Sequence, residues 1–520
     1  MKKTKQDLSI KTLNTATQQA DICLLLEGSY PFVQGGVSSW VHQLIEGHPN
    51  YMFSIVFLGS DRENYSKIRY KLPSNVCHFE AHYLNESLEL DAPSPRHVDK
   101  KLLNALIKMY GDMKGTAPAP NIDKLSSNCS LLLNNLSSNI NDFFYSEEVW
   151  NLIEDIYNKT CPDQAFNEFF WAIRAMYSPL LSLIKISKHI PDAKCYHTIS
   201  TGYAGVLGMF LKQQKNRPLI LTEHGIYTKE RQLDLYQADW IKEINQKYCA
   251  GLDERTSALR QLWIVYFEIL GRLTYSACSY TITLYEQNRQ KQIELGANPS
   301  TAIVIHNGVK HAHYSKLISQ RSQEIPQIVC LLGRVVPIKD IKTFIYSIDE
   351  LCKILPDAEG WIVGPEDEDE EYAKDCHELV SQLKLEKKVK FLGFQKIDDI
   401  LPKIGLIILS SISEAQPLVI LEGFSAGVPA ISTDVGFSRG MIEGKDAQDQ
   451  ALGKAGAVVP IANPKALAIA ASSLLKDKKR WYAAQKTGIQ RVESLYRESL
   501  FLESYKKLYH KVIKDGGNRV

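Results

Sequence analysis

Three features of the 520 residues predict an α/β protein made of two successive Rossmann-like domains. Short continuous apolar runs recur along the chain, each followed by a polar or glycine-containing turn and then by a helical apolar period. Such runs are the strands of parallel sheets, buried on both faces and joined through helices. The rhythm starts twice, at Ile22 and again at Ile328, and 520 residues are more than one core usually serves.

The first rhythm opens on Ile22 to Glu27 (ICLLLE), which ends in Gly28-Ser-Tyr-Pro31. Gly35-Gly36-Val37-Ser38-Ser39-Trp40 then runs into a helix. Glycines here let the backbone approach a ligand, and the helix start offers free N–H groups. A plain tight turn is the alternative. Met52 to Gly59 is the next strand, after which the chain turns polar and rich in Asn and Ser. That stretch reads as a mainly helical insertion, about residues 85–190, with a loop near 116–120. Cys195 to Ser200 restores the rhythm, and Gly202, Gly205 and Gly208 suit a helix packed tightly on a sheet. Leu219 to Glu223 delivers Glu223-His224-Gly225 to a strand end. A lone histidine is commonly structural, but a strand end in an α/β domain is where functional side chains collect. Ser279 to Leu284 and Ala302 to Ile305 are further strands, and Asn307-Gly308 after them is a turn former.

The second rhythm begins at Ile328 to Leu332 and hands over to Gly333-Arg334-Val-Val-Pro-Ile-Lys339-Asp340 before a helix over Ile341 to Leu351. Guanidinium, ammonium and helix N–H groups converging on one loop make an anion site suited to phosphate. Gly360 to Gly364, Val389 to Phe394 and Gly405 to Leu409 continue the sheet. Ser410 to Asp434 then sets Glu414 and Glu422 eight positions apart around a helix start, with Pro429 to Thr433 as the following strand. Ser410, Ser411, Ser413, Glu414 and Gln416 offer the chemistry to hold a polyhydroxylated ligand; equally, Ser413 and Glu414 are suited to cap the helix. Gly456 to Pro460 is a last strand, and residues 476–515 form one or two amphipathic helices.

Bulk properties narrow the function. Hydrophobic content of 44% and charged content of 23% are those of an ordinary globular protein. A net charge of +2 argues against a nucleic-acid partner. The ten cysteines include no CxxC pair, which argues against zinc and favours a reducing compartment. Residues 1–20 have no apolar core and read as a polar tail rather than a signal peptide. The strongest apolar run noted, Leu262 to Leu270, is short, contains Glu268 and reads as a buried helix.

Gly-Arg-x-x-x-x-Lys at 333–339, followed by Glu414 and Glu422 before a helix, resembles the retaining GT-B glycosyltransferases of family GT4. Gly35-Gly36 and His224 stand where that family has its N-domain glycine loop and its active-site histidine. EGSYPFVQGGVSSWVHQLI, TEHGIYTKER, GRVVPIKDIKTFI and SISEAQPLVILEG are similar to a PelF-like subgroup, cytosolic transferases of Pel-type exopolysaccharide synthesis. Asp340 departs from the glycine that commonly follows the lysine, and Ala415-Gln416 from a common Gly-Phe.

The resemblance implies a GT-B architecture of two Rossmann-like domains facing each other across a cleft. Its parts are a tail at 1–20, an N-terminal acceptor domain at 21–305, a nucleotide-sugar domain at 306–490, and a C-terminal helix at 491–520 crossing back to the first domain. It implies retaining transfer of a hexosyl or N-acetylhexosaminyl unit from a UDP-sugar to a growing glycan. Arg334 and Lys339 would stabilise the diphosphate, Glu414 and His224 would serve the donor sugar, and Glu422 the ribose. Gly35, Gly36, Gln416, Pro417 and Leu418 would bind substrate through the backbone. No cofactor and no metal are implied. Asp367-Glu368-Asp369 matches the DxD pattern of a different transferase class, and a solvated acidic loop is the preferred reading. Inner-membrane synthase or export subunits are the implied partners, with the protein cytoplasmic or peripheral at the inner membrane face. Two other functions fit the same scaffold: a sugar-nucleotide epimerase or hydrolase, and a non-catalytic nucleotide-sugar-binding subunit.

Overall fold

The computed structural model describes residues 19–85, 146–162, 164–238 and 258–517. They form two compact units, one comprising Met1–Val304 with Lys506–Val520 and the other Ile305–Tyr505. Residues 1–18 of the expected polar tail, the loop near 116–120 and residues 86–145 of the expected insertion lie outside the described residues, and Ala20, expected in the tail, opens the first strand.

The first unit holds strands β1 (Ala20–Glu27), β2 (Phe53–Gly59), β3 (Val76–Tyr83), β4 (Ala193–Thr198), β5 (Leu219–Glu223), β6 (Tyr280–Thr283) and β7 (Ala302–Val304). They pair in parallel in the order β3-β2-β1-β4-β5-β6-β7. Ile22 to Leu26 and Phe53 to Leu58 carry the continuous burial expected of central strands. Sequence reasoning missed β3. Its sequence VCHFEAHY carries His78, Glu80 and His82 on alternate positions, and an edge strand does not need a continuous apolar run.

The described part of the expected insertion is helical, at Glu147–Thr160 and Phe166–Ser187. Among the described residues, Phe166–Ser187 is the one helix long and apolar enough to cross a membrane, and most of it is buried in the core of its unit. The run Leu262 to Leu270 lies within the helix Ala258–Ala277 and is largely buried, as expected. The small residues of the helix Tyr203–Lys215 do pack tightly. A Cβ at Gly205 would lie 2.7 Å from the Ser200 carbonyl oxygen, and one at Gly208 would lie 2.6 Å from Leu219. The eight described cysteines are free, and burial pushes the Cys23 thiol up to about 12.

The second unit holds β8 (Ile328–Leu332), β9 (Glu359–Val363), β10 (Val389–Phe391), β11 (Leu406–Leu409), β12 (Ala430–Thr433) and β13 (Gly456–Val459). Their order is β10-β9-β8-β11-β12-β13, again all parallel. Its core packs Val329, Leu331, Phe344, Ile408, Leu467 and Trp481 together. A buried Arg491 fastens the region after β12. It donates to Asp449 Oδ1 at 2.6 Å and to the carbonyls of Met441, Ile442, Asp449 and Gly453.

Both sheets reverse direction of strand addition once. The reversal lies between β1 and β4 in the first unit and between β8 and β11 in the second. Loops leaving the carboxyl ends of such a strand pair splay apart and leave a crevice, the usual ligand position in open α/β sheets.

Candidate active site

The crevice of the second unit is built from the loops after β8 and β11. A Cβ on Gly364 would lie 1.9 Å from the Gly333 carbonyl oxygen, so the loops after β8 and β9 run backbone against backbone. Past Arg334 the chain makes a tight turn at Pro337–Lys339 and reaches Asp340 with φ +46° and ψ 56°. That left-handed conformation explains the residue. Glycine adopts it freely, Asp tolerates it better than most, and here the Asp340 carboxylate also accepts from Thr343 N at 3.2 Å to cap the helix Ile341–Ile354.

Short bonds tie this loop to the one after β11. Ser410 Oγ donates to the carbonyls of Lys339 and Asp340 at 2.8 and 3.0 Å, and Ile412 N donates to the Ile338 carbonyl at 2.9 Å. Lys339 Nζ lies 2.5 Å from Glu414 Oε1, and Ser411 Oγ donates to the same oxygen at 2.9 Å. Both side chains of this pair are mostly buried, at 19% and 15% exposure. The capping expectation for Ser413 and Glu414 is therefore corrected. The helix is Leu418–Ser425, its N-cap is Pro417, and no side chain caps it. Glu414 is spent on Lys339 and Ser411, so the helix start keeps N–H groups without a side-chain acceptor.

Gln416 points back into its own unit. Its Oε1 accepts from Asn307 N at 2.7 Å, and its carbonyl accepts from Asn307 Nδ2 at 3.5 Å. Glu422 lies one helical turn after Leu418 and accepts from Tyr314 OH at 3.3 Å. Burial raises the Glu422 carboxyl to about 7 against its ordinary 4.5, and the Tyr314 bond offsets this only in part. Gly436 completes the loop. With φ +51°, its missing Cβ makes room for the carbonyl oxygens of Glu414 and Ala415, 2.1 and 2.4 Å from where that Cβ would stand. Tyr314, Asn307 and Gly436 were missed as site residues. Asn307 had the signal of a polar residue just past a strand; the other two gave none that distinguishes them from ordinary surface or turn residues.

In the first unit, the helix Gly36–Glu46 starts at Gly35 with no side-chain cap, and a Cβ at either glycine would meet nothing within 4 Å. His224 sits at the end of β5. Trp40 of that helix meets its ring edge-to-face, centroids 4.8 Å apart. Neither imidazole nitrogen has a hydrogen-bond partner, and burial lowers its pKa to about 4, so the ring is neutral at pH 7. The neighbouring Glu223 is fully buried and accepts from Tyr275 OH (2.6 Å), Gln292 Nε2 (3.0 Å), Tyr227 N (2.9 Å) and Thr201 Oγ1 (3.3 Å). Four bonds from four segments pin the strand end that carries His224. Glu27, at the end of β1, accepts from Ser200 Oγ, Ala204 N and Tyr227 OH, each at 3.1 Å. A cavity of about 620 Å³ opens among Glu27, Tyr65, Tyr203, His224, Tyr227 and Arg231. Tyrosine rings and polar tips in one cavity suit a sugar, which has apolar C–H faces and a hydroxyl rim.

Arg334, Lys339, Glu414, Gln416, Pro417, Leu418 and Glu422 thus gather at the strand reversal of the second unit, while Gly35, Gly36 and His224 belong to the first. The acidic run is divided among other duties. Glu366 pairs with His377 at 2.7 Å, Glu368 with Arg334, and Asp369 caps the helix Glu370–Gln382. No group of three or more His, Cys, Asp or Glu able to hold a metal ion occurs among the described residues.

Residues 20–300 match the profile of a domain of unknown function, DUF3492. The chain belongs to the DUF3492 family. Residues 316–491 match the glycosyl transferases group 1 profile, so this DUF3492 protein joins its first unit to a glycosyltransferase domain. It is 29% identical over 142 residues to N-acetyl-alpha-D-glucosaminyl L-malate synthase of Bacillus anthracis, and 31% identical over 162 residues to an exopolysaccharide phosphotransferase of Streptomyces coelicolor. Those matches take in 27% and 30% of this chain, and the chain spans only 35% and 16% of the two relatives' lengths. Its fold is similar to Anabaena HepE solved with UDP (TM-score 0.57, 14% identity, 94% of this chain and all of that one). It is equally similar to sucrose-phosphate synthase of Thermosynechococcus elongatus (TM-score 0.57, 14% identity, 96% and 100% covered). The DUF3492 protein therefore has the GT-B fold, and its second unit carries a glycosyl transferases group 1 domain.

Proposed function

We propose that this protein is a retaining, metal-independent glycosyltransferase that moves a hexosyl or N-acetylhexosaminyl unit from a UDP-sugar to a growing exopolysaccharide of the Pel type. The observation that carries the reading is the convergence of Arg334, Lys339, Glu414 and Glu422 on one strand reversal. HepE, of the same fold, was solved with UDP and with UDP-glucose, which supports the choice of donor.

The costly step is breakage of the bond between the anomeric carbon and the diphosphate, with charge growing on the leaving group. Arg334, Lys339 and the uncapped start of the helix Leu418–Ser425 supply positive potential for it. Glu422 accepts from the ribose diol, Glu414 from donor-sugar hydroxyls, and Pro417 and Leu418 offer backbone contacts beside Gln416. The neutral His224 hydrogen-bonds a sugar hydroxyl, and Gly35-Gly36 offer backbone N–H groups to ligand within the first unit. The acceptor oxygen bonds to the anomeric carbon on the face the diphosphate leaves, and the acceptor proton passes to a diphosphate oxygen. The cavity beside His224 receives the acceptor glycan. Membrane-embedded synthase or export subunits at the cytoplasmic face are the proposed partners.

The test is purified protein with a panel of UDP-sugars and oligosaccharide acceptors, read by UDP release and product mass. Acceptor-dependent transfer with retained configuration is expected, unaffected by chelator. Arg334→Ala should cut turnover by about 100- to 1000-fold while thermal stability holds. Free UDP or an altered sugar without acceptor would move the assignment to an epimerase or hydrolase. UDP binding without turnover under any acceptor would make it a non-catalytic subunit.

A further inference from the structure

Glu368 belongs to an acidic run that the proposed reaction does not use, yet it makes a specific contact with the reaction's central cation. Arg334 Nη1 lies 2.5 and 2.6 Å from the two carboxylate oxygens of Glu368. The loop bearing Glu368 is held in register with the Arg334 loop. Gly333 N donates to the Val363 carbonyl at 2.9 Å, Val335 N donates to the Pro365 carbonyl at 3.0 Å, and only a glycine fits at 364. Asp369 then anchors the far side of the loop by capping the next helix through Tyr372 N at 3.0 Å. Glu368 is thus fixed within reach of Arg334 from both ends.

We propose that Glu368 tunes affinity at the nucleotide site, an internal anion that competes with the donor's diphosphate for Arg334. The inference rests on the donor-site reading above. The two clamp cations are held differently. Lys339 and Glu414 are mostly buried, whereas Arg334 and Glu368 are 46% and 49% exposed. An exposed pair is weak and readily exchanged. A diphosphate carries more charge than one carboxylate and displaces Glu368 from Arg334. The remaining carboxylate charge also lowers affinity for the product nucleotide and so favours its release.

Calorimetric titration of UDP, UMP and inorganic phosphate into the full chain and into Glu368→Gln tests this. The variant alters an exposed side chain, and an unchanged melting temperature confirms that it folds. Glu368→Gln should bind UDP about two- to five-fold more tightly, the range that loss of one exposed competing pair allows. Affinity for UMP and phosphate should rise as well, with a smaller turnover number where product release limits the rate. In an Arg334→Ala background, Glu368→Gln should change nothing. Weaker UDP binding in Glu368→Gln would overturn the proposal, because Glu368 would then hold Arg334 in place for the ligand. Unchanged affinity for all three ligands would overturn it as well. If Arg334→Ala alone leaves UDP affinity untouched, the donor-site assignment itself fails, an outcome separate from both.

Discussion

Replacing Glu422 with Gln should stabilise the folded protein at alkaline pH and, on the donor-site reading proposed above, weaken UDP binding. The Glu422 carboxyl is raised by burial to about 7 from an ordinary 4.5. Below pH 4.5 it is protonated in folded and unfolded chains alike and costs nothing. Between 4.5 and about 7 the unfolded chain ionises and the folded one does not, so stability falls as pH rises. Above about 7 both are ionised and the fold bears the whole cost of a desolvated charge. The gap from 4.5 to about 7, at about 1.4 kcal/mol per pH unit, sets a ceiling of about 3 kcal/mol. Residual solvent contact reduces this to about 1–2 kcal/mol. Gln has nearly the same shape and keeps an acceptor for Tyr314 OH, so what it removes is chiefly the charge. In a unit of this size that corresponds to a melting temperature roughly 2–8 °C higher at pH 8.5. Thermal unfolding of both proteins at pH 4.5, 6 and 8.5 provides the assay, with UDP titrations alongside. The gain should be largest at pH 8.5 and vanish at pH 4.5, and UDP affinity should fall about tenfold through loss of a charged acceptor. A stability difference that stayed constant across this range would refute the buried-carboxylate reasoning.

Two further substitutions probe how the site is supported. Gly436→Ala forces a left-handed backbone on Ala and drives its Cβ into the Glu414 and Ala415 carbonyls; displacement of that loop should lower turnover about 10- to 100-fold, with a stability loss of about 1–3 kcal/mol by denaturant unfolding. Arg491→Ala strands a buried Asp449 carboxylate and several carbonyls, and should cost about 3–5 kcal/mol, seen as a melting transition lowered by roughly 10 °C.

The candidate site was legible where chemistry and chain order coincide. Arg334 and Lys339 stand at a strand end before a helix, and Glu414 and Glu422 straddle the next such junction, so loop positions follow from hydrophobic period alone. The edge strand β3 was not legible, because a strand covered on fewer sides tolerates His78, Glu80 and His82 in its run. Nor was the fate of Glu414. From local pattern it is a fair helix cap, and only the Lys339 ammonium, brought in from 75 residues away, draws it elsewhere. Asp340 is the opposite case: a departure from the family pattern in sequence, it stands in a left-handed conformation that glycine adopts freely, and its side chain adds a cap.

The sequence by itself determined that the chain alternates strand and helix twice over, which residues end each strand, and that cations and carboxylates stand at those ends. Periodicity and side-chain chemistry are local properties, and they suffice for this. Tertiary structure alone decided that β8 lies beside β11, although two strands intervene along the chain, and so brought the Arg334 and Glu414 loops together. It also decided that Glu422 is half-buried beside Tyr314, that His224 is neutral against Trp40, and that Glu368 holds Arg334. Strand order, burial and charge pairing depend on which distant segments share a surface, and that follows from packing the whole core.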